Sequence, residues 1–301
     1  MHTAAWRGAL AVITVAVLTT STGCSSVPSR DSEDSELLKG LSALAEANGN
    51  DSVIYLDAAK ARKLSKDDPK RYRHIARPGG SLLSRYDAAP WGRHLKATQI
   101  DVSVDTAQAG HWEGTFDAEA ITAALKENGY RQREVNGTRV WARSGTKETS
   151  FEIAQDEISY SSLGPEPMAA VQPREGTSLA DHKDYWSAAD CLGDVYRADF
   201  GPFTPAEPVR LSAVGQQASS AAENTEIMCF VTKNKATADR LGAKLRSTVR
   251  AETPDFDGTE VSVDSGDRPV VRAVVPDTAA QRPGRLLLTD VELWLTAVSQ
   301  S

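Results

Sequence analysis

The chain has 301 residues, of which 40% are hydrophobic and 25% charged, and its formal net charge is −7. These fractions are those of a globular protein, and interspersed charge of net negative sign argues against a nucleic-acid partner. Past residue 24 no stretch stays apolar for about eighteen residues, so the body does not cross a membrane as a helix.

In chain order, Arg7 and the apolar run at residues 8–18 have the length and flanking charge of a signal-peptide core. The run ends in Thr22-Gly23-Cys24, which resembles the bacterial lipobox, with a departure at Ser21 where that family usually carries an aliphatic residue. The resemblance implies removal of residues 1–23 and a diacylglycerol on Cys24 that anchors the chain to the extracytoplasmic face of the cell membrane. An ordinary secretory signal cut nearby is the alternative. Loss of Arg7 with the leader takes the net charge to −8. Residues 24–35 are rich in serine and charge and read as a flexible tether.

About 265 residues follow, enough for two domains. Residues 36–162 and 178–301 are the expected domains, joined by a Pro- and Gly-rich linker at 163–177. Leu37, Leu38, Leu41, Leu44 and Ala45 recur at helical spacing behind Asp34 or Ser35 as cap, residues 52–56 read as a strand, and Asp57 caps a second helix through Leu64.

Lys70, Arg71, Arg73, His74 and Arg77 then form the basic cluster of the chain. It is a candidate surface for anionic wall polymer or lipid headgroups, against a solvated loop or helix face partly offset by Asp67 and Asp68. Trp91, between turn signals, is expected to plug a loop onto the core.

Residues 100–104 alternate as a strand should, Asp117 caps a helix ended by Gly129, and Asn136-Gly137 marks a hairpin between 130–135 and 138–143. Two short strands follow at 150–153 and 157–161. In the second half Ser178 caps an expected helix to Leu192, residues 194–200 read equally as strand or helix continuation, and 209–214 and 226–232 read as strands. A helix at 235–247 and strands at 260–263, 269–275, 285–289 and 291–296 repeat the order of the first half. The expected fold is α+β: two tandem antiparallel-sheet-plus-helix units resembling the ferredoxin-like group, by internal duplication.

With Cys24 lipidated, Cys191 and Cys229 remain as an even pair in an oxidising compartment and are expected to form a disulfide, with two buried free thiols as the alternative. No ligand spacing suggests a metal, and no cofactor motif occurs. Leader, lipobox, tether and cysteine pair together resemble secreted lipobox lipoproteins of the actinobacterial type, a group of uncharacterised function.

The sequence holds no G-x-S-x-G, H-E-x-x-H, P-loop or G-x-G-x-x-G. His111 and His182 have carboxylates nearby, and the acid pairs Asp156 with Glu157 and Asp290 with Glu292 sit at expected strand ends. These readings favour a non-enzymatic binding or interaction lipoprotein with a cell-wall or protein partner. The alternative is an extracytoplasmic hydrolase-like enzyme with a dispersed site built on His111 or His182. A pocket lined by Trp112, Trp141 or Trp186 would favour binding, and a histidine meeting a carboxylate in a concavity would favour catalysis.

Overall fold

The computed structural model describes residues 35–79, 81–84, 89, 91–135, 137–143, 149–162, 166–202 and 207–298. The leader 1–23, Cys24, the tether through residue 34, Asn136 of the expected hairpin and residues 163–165 of the expected linker lie outside these residues.

The first half runs α1 (Glu36–Ser42), β1 (Val53–Asp57), α2 (Ala58–Asp67), α3 (Pro69–Tyr72), α4 (Ser81–Ser84), β2 (Ile100–Asp105), β3 (Ala109–Gly114), α5 (Ala118–Glu127), β4 (Arg131–Val135), β5 (Thr138–Ala142), β6 (Ser150–Ile153) and β7 (Glu157–Ser161). The second runs α6 (Lys183–Leu192), β8 (Arg197–Pro202), β9 (Val209–Ser220), β10 (Glu223–Thr232), α7 (Lys235–Ala251), β11 (Glu260–Asp264), β12 (Val270–Pro276), α8 (Arg285–Leu288) and α9 (Glu292–Val298). Local chemistry sets most helix starts. The N–H groups of Leu38, Lys60, Ala120 and Thr237 donate to the side chains of Ser35, Asp57, Asp117 and Asn234, each satisfying a donor that a helix start leaves open. Gly137, at φ 83°, supplies the left-handed residue that the β4–β5 turn needs.

The twelve described strands form one open antiparallel sheet in the order β11-β12-β10-β9-β8-β1-β2-β3-β7-β6-β5-β4. This overturns the expected pair of tandem ferredoxin-like units. The halves share the sheet because β1 lies between β2 and β8, with Tyr55 opposite Val104 on one side and Ala198 on the other. Paired on both edges, β1 leaves neither half an edge there at which a separate unit could end.

A second correction concerns the C-terminus, where the strands expected at 285–289 and 291–296 are the short helices α8 and α9. Leu286, Leu293 and Ala297 all point into one core cluster, and the four-residue step from Leu293 to Ala297 is a helical neighbour distance, not a strand alternation. The β11–β12 pair therefore matches β6–β7 in sheet position rather than the β4–β5 hairpin, since β12 pairs with β10 as β7 pairs with β3. The ambiguous 194–200 segment resolves as β8, and α6 begins at Lys183 rather than directly after Ser178.

Helices cover both sheet faces. On one face, α1 and α6 bury Leu37, Leu41, Tyr185, Ala188 and Leu192 against Val53, Tyr55, Leu211, Ile227, Cys229 and Val231. On the other, alternate residues of β10, Met228 and Phe230, meet Ala238, Leu241 and Leu245 of α7, while Trp112 and Ile158 meet Ile121 and Leu125 of α5. Between those two clusters α2 and α3 bury Ala61, Leu64 and Tyr72 against Leu56 and Tyr196. Met168 and Val171, from the segment expected as a linker, are buried in the first of these cores. Asn48 Nδ2 also donates to Ala170 O at 2.7 Å, so this part of the segment is docked. Trp91 is buried with its ring 4.9 Å from that of Phe151, as a loop plug should be.

Candidate functional site

The β9–β10 hairpin turns at Ala221-Ala222, and a register shift at Glu223/Asn224 bends its end away from the regular ladder. Beside this end opens a cleft of about 530 Å3, walled by Gln217, Ser219, Glu223, Asn224 and Thr225 of the hairpin, Lys60 of α2, Asp194, and Pro276-Asp277 at the end of β12.

Its floor is held by a buried polar network. Asn224 is 3% exposed, accepts the Tyr196 hydroxyl at 3.0 Å, and donates to Gln216 Oε1 at 3.1 Å and Asp277 Oδ2 at 2.6 Å. Asp277 Oδ1 takes Arg285 Nε at 2.8 Å, and Arg285 Nη1 reaches Asp290 Oδ2 at 2.6 Å. Gln216 Nε2 donates to Glu226 Oε2 at 2.8 Å, while Glu226 Oε1 accepts the N–H groups of Gly284 and Arg285 at 3.0 and 2.9 Å. Burial foremost, with the negative Asp277 second, pushes the Glu226 carboxyl up to about 7. Arg285 Nη2 is buried without a hydrogen-bond partner, but the other contacts tie these side chains to one another and hold them in one geometry, so the cleft floor is set before any ligand arrives.

The rim, by contrast, is exposed and charged in both senses. Lys60 Nζ stands 3.8 Å from Asp194 Oδ2, and Glu223 accepts the Ser219 hydroxyl at 2.6 Å. The cleft can thus offer a cation, two carboxylates and side-chain amide and hydroxyl groups to a small polar molecule. Among the described residues no group of three or more His, Cys, Asp or Glu converges to hold a metal ion.

The basic cluster divides. Arg71 is 4% exposed and spends its guanidinium on carbonyls, donating to Ala221 O and Ala222 O at 3.1 and 2.7 Å and to Thr278 O and Gln281 O, both at 3.1 Å. It therefore fastens the lip of the cleft to the segment after β12 and does not reach the surface. Lys70, Arg73, His74 and Arg77 are exposed, with His74 Nε2 2.7 Å from Pro283 O. Cys191 and Cys229 are joined as a disulfide with Cα atoms 6.2 Å apart, tying α6 to β10.

The other singled-out residues do not meet at the cleft. His111 Nδ1 lies 2.8 Å from Ser159 Oγ, with Glu113 Oε1 3.9 Å from Nε2. Ser159 lies inside β7, flanked by β3 and β6, so the backbone donors around it belong to the sheet ladders and do not form an oxyanion hole. His182 caps α6 through the Asp184 N–H and stands 3.7 Å from Glu46. Trp112 is buried, Trp141 packs beside the same core and Trp186 is exposed. Asp156, Glu157 and Glu292 also lie apart from the cleft lining. No motif or spacing in the sequence marks Asn224, Glu226, Asp277 and Arg285 as one group. Glu226, a carboxylate leading the apolar run Ile227–Val231, was the one available signal, and it read as an ordinary strand end.

A second buried carboxyl belongs to β2. Asp105, 1% exposed, accepts Trp112 Nε1 and Tyr160 Oη, both at 2.7 Å, on Oδ1. The side chains cross above Gly110, where a Cβ would stand 2.4 Å from Asp105 Oδ1. Asp105 Oδ2 and Ser103 Oγ are both buried with no hydrogen-bond partner among the described residues, although Ser103 is near enough to act on the carboxyl. Burial pushes Asp105 up to about 6 despite these hydrogen bonds.

Because the folded-state value lies above the unfolded one, this contribution to stability is complete below about pH 4 and is lost as pH rises through about 6. Asp105→Asn, which keeps the acceptor and places a donor toward Ser103, should remove that loss. In urea unfolding from pH 4 to pH 8, wild type should lose about 3 kcal/mol relative to the variant. Parallel curves would show that Asp105 is ionised throughout.

No protein-family model matches this chain, and neither a curated protein nor a solved structure does.

Proposed function

We propose that the protein is a non-enzymatic binding lipoprotein, held by a lipid on Cys24 at the extracytoplasmic face of the cell membrane, that takes a small polar ligand into the cleft beside the β9–β10 hairpin. The observation that carries the reading is the contrast between floor and rim. Asn224 and Asp277 are locked by buried partners, while Lys60, Asp194 and Glu223 remain at the mouth. A preformed concavity with a few placed polar groups is the common form of a ligand site. Opposite charges at the rim suit a zwitterion such as an amino acid, a short peptide or an amino-sugar fragment of the wall. The Cys191–Cys229 disulfide supports an oxidising compartment.

Two measurements test this. Intact mass of protein recovered from host membranes should lack residues 1–23 and carry diacylglycerol on Cys24; an unlipidated chain would sink the anchored reading. A thermal-shift panel of amino acids, short peptides and muropeptide fragments should contain ligands whose stabilisation disappears in Lys60→Ala and Glu223→Gln, with the ligand-free midpoint unchanged. Stabilisation that survives both substitutions would place the ligand elsewhere.

A further inference from the structure

From the tertiary arrangement of the basic residues we infer that the outward side of α2 and α3, extended by the turn after α3 and by Arg282, is a docking face for the anionic headgroups of the bilayer. This rests on the lipid-anchored reading. Both helices bury their inner sides on one core cluster, Ala58, Ala61 and Leu64 with Tyr72 and Ile75, so their outer sides look away from the same face of the sheet.

Lys63, Lys66, Lys70, Arg73 and Arg77 are exposed there, and none forms an ion pair among the described residues. Arg282 joins from a distant part of the chain, because Arg71 holds Gln281 O and His74 meets Pro283 O. Arg62 is occupied by Asp101, and Lys60 faces Asp194 across the cleft. Of the two carboxylates between residues 58 and 77, half-buried Asp68 accepts the Arg71 N–H and Asp67 is exposed. Six cations with no ion pair among the described residues thus stand against the two carboxylates Asp67 and Asp68 on this part of a chain whose net charge is −7.

Charge complementarity names the partner. The chain from Cys24 to Ser35 can span at most about 40 Å, so the anchor keeps the body close to the lipid surface. Each cation brought near a strongly anionic leaflet adds about a fivefold preference for it, and the attraction fades within about 10 Å at moderate salt. A basic face of this kind sets the orientation of an anchored body, and the cleft beside α2 is then held at a fixed height above the membrane.

The test uses the lipidated protein incorporated into phosphatidylglycerol–phosphatidylcholine vesicles and into pure phosphatidylcholine vesicles, followed by pulse labelling of amines and mass mapping. Lys63, Lys66 and Lys70 should label more slowly on the anionic vesicles, the difference should vanish in high salt, and Lys235 and Lys39 should label equally on both. The combined variant Lys70→Glu, Arg73→Glu and Arg77→Glu should lose the protection while keeping its membrane incorporation and unfolding midpoint. Equal labelling of the three lysines on the two vesicle types overturns the inference. Protection by soluble polyphosphate but not by anionic vesicles also overturns it, in favour of an anionic polymer. If mass analysis finds no diacylglycerol, the anchored reading fails by itself, and the same labelling comparison with added vesicles still decides the face.

Discussion

Replacing Arg285 with methionine should lower stability by about 3–5 kcal/mol, the usual consequence of removing one partner from a buried ion pair. The Arg285 and Asp277 side chains are 4% and 0% exposed, and their atoms meet at 2.8 Å. Asp290, a second carboxylate on the same guanidinium at 2.6 Å, and Glu226, which accepts the Arg285 N–H, surround the lost charge with negative or polar groups. Methionine offers Asp277 no donor, and Asn224 Nδ2 is the side-chain donor left to it among the described residues. Methionine keeps an unbranched apolar chain at a site where the guanidinium now lies 5.5 Å from the Phe256 ring, which limits the packing loss. Equilibrium urea unfolding measures it, and a change below about 1 kcal/mol would mean that Asn224 and its neighbours hold Asp277 without the guanidinium. Adding Asp277→Asn to the variant should restore much of the difference. The same pair fixes Asp277 against Asn224 on the cleft floor, so the single variant should also weaken any ligand found by thermal shift.

Reduction of the Cys191–Cys229 bond should cost about 4 kcal/mol, the chain-entropy value for a closed loop of this size, given a sequence separation of 38. Cys229 lies in the middle of β10 with no exposure, and Cys191 is at the last turn of α6. Folding brings these elements together through Tyr185, Ala188 and Leu192 in any case, and Arg272 Nε still donates to Cys191 O at 2.9 Å. The reduced protein is therefore expected to fold, with a lower midpoint in urea and with amide exchange raised most in α6. Coincident unfolding curves with and without reductant would show that the reduced, unfolded chain is already compact enough to cancel the entropy difference.

Much of the local structure was legible in single stretches of sequence. Asp57 and Asp117 cap helices, Gly129 ends one, Gly137 turns a hairpin, and Cys191 pairs with Cys229. Each of these depends on a few neighbouring residues or on elimination among three cysteines, and needs no knowledge of where the rest of the chain lies.

What the sequence alone could not decide is which surfaces share a partner. β1 and β8 are about 140 residues apart, and their pairing follows from burying both faces of a continuous sheet, a condition that no local window contains. Val291–Thr296 alternates well enough for a strand or a helix, and only the shared core with α7 selects the helical face. The basic stretch 70–77 shows the limit most directly. In sequence its cations are equivalent, yet tertiary structure buries Arg71 under carbonyls from residues 221, 222, 278 and 281 and leaves Lys70, Arg73 and Arg77 outside. Composition and spacing determined that the charges lie close together. Only the packing of distant segments could determine which charge becomes a structural clamp, because a buried guanidinium is tolerated only where hydrogen-bond acceptors converge on it.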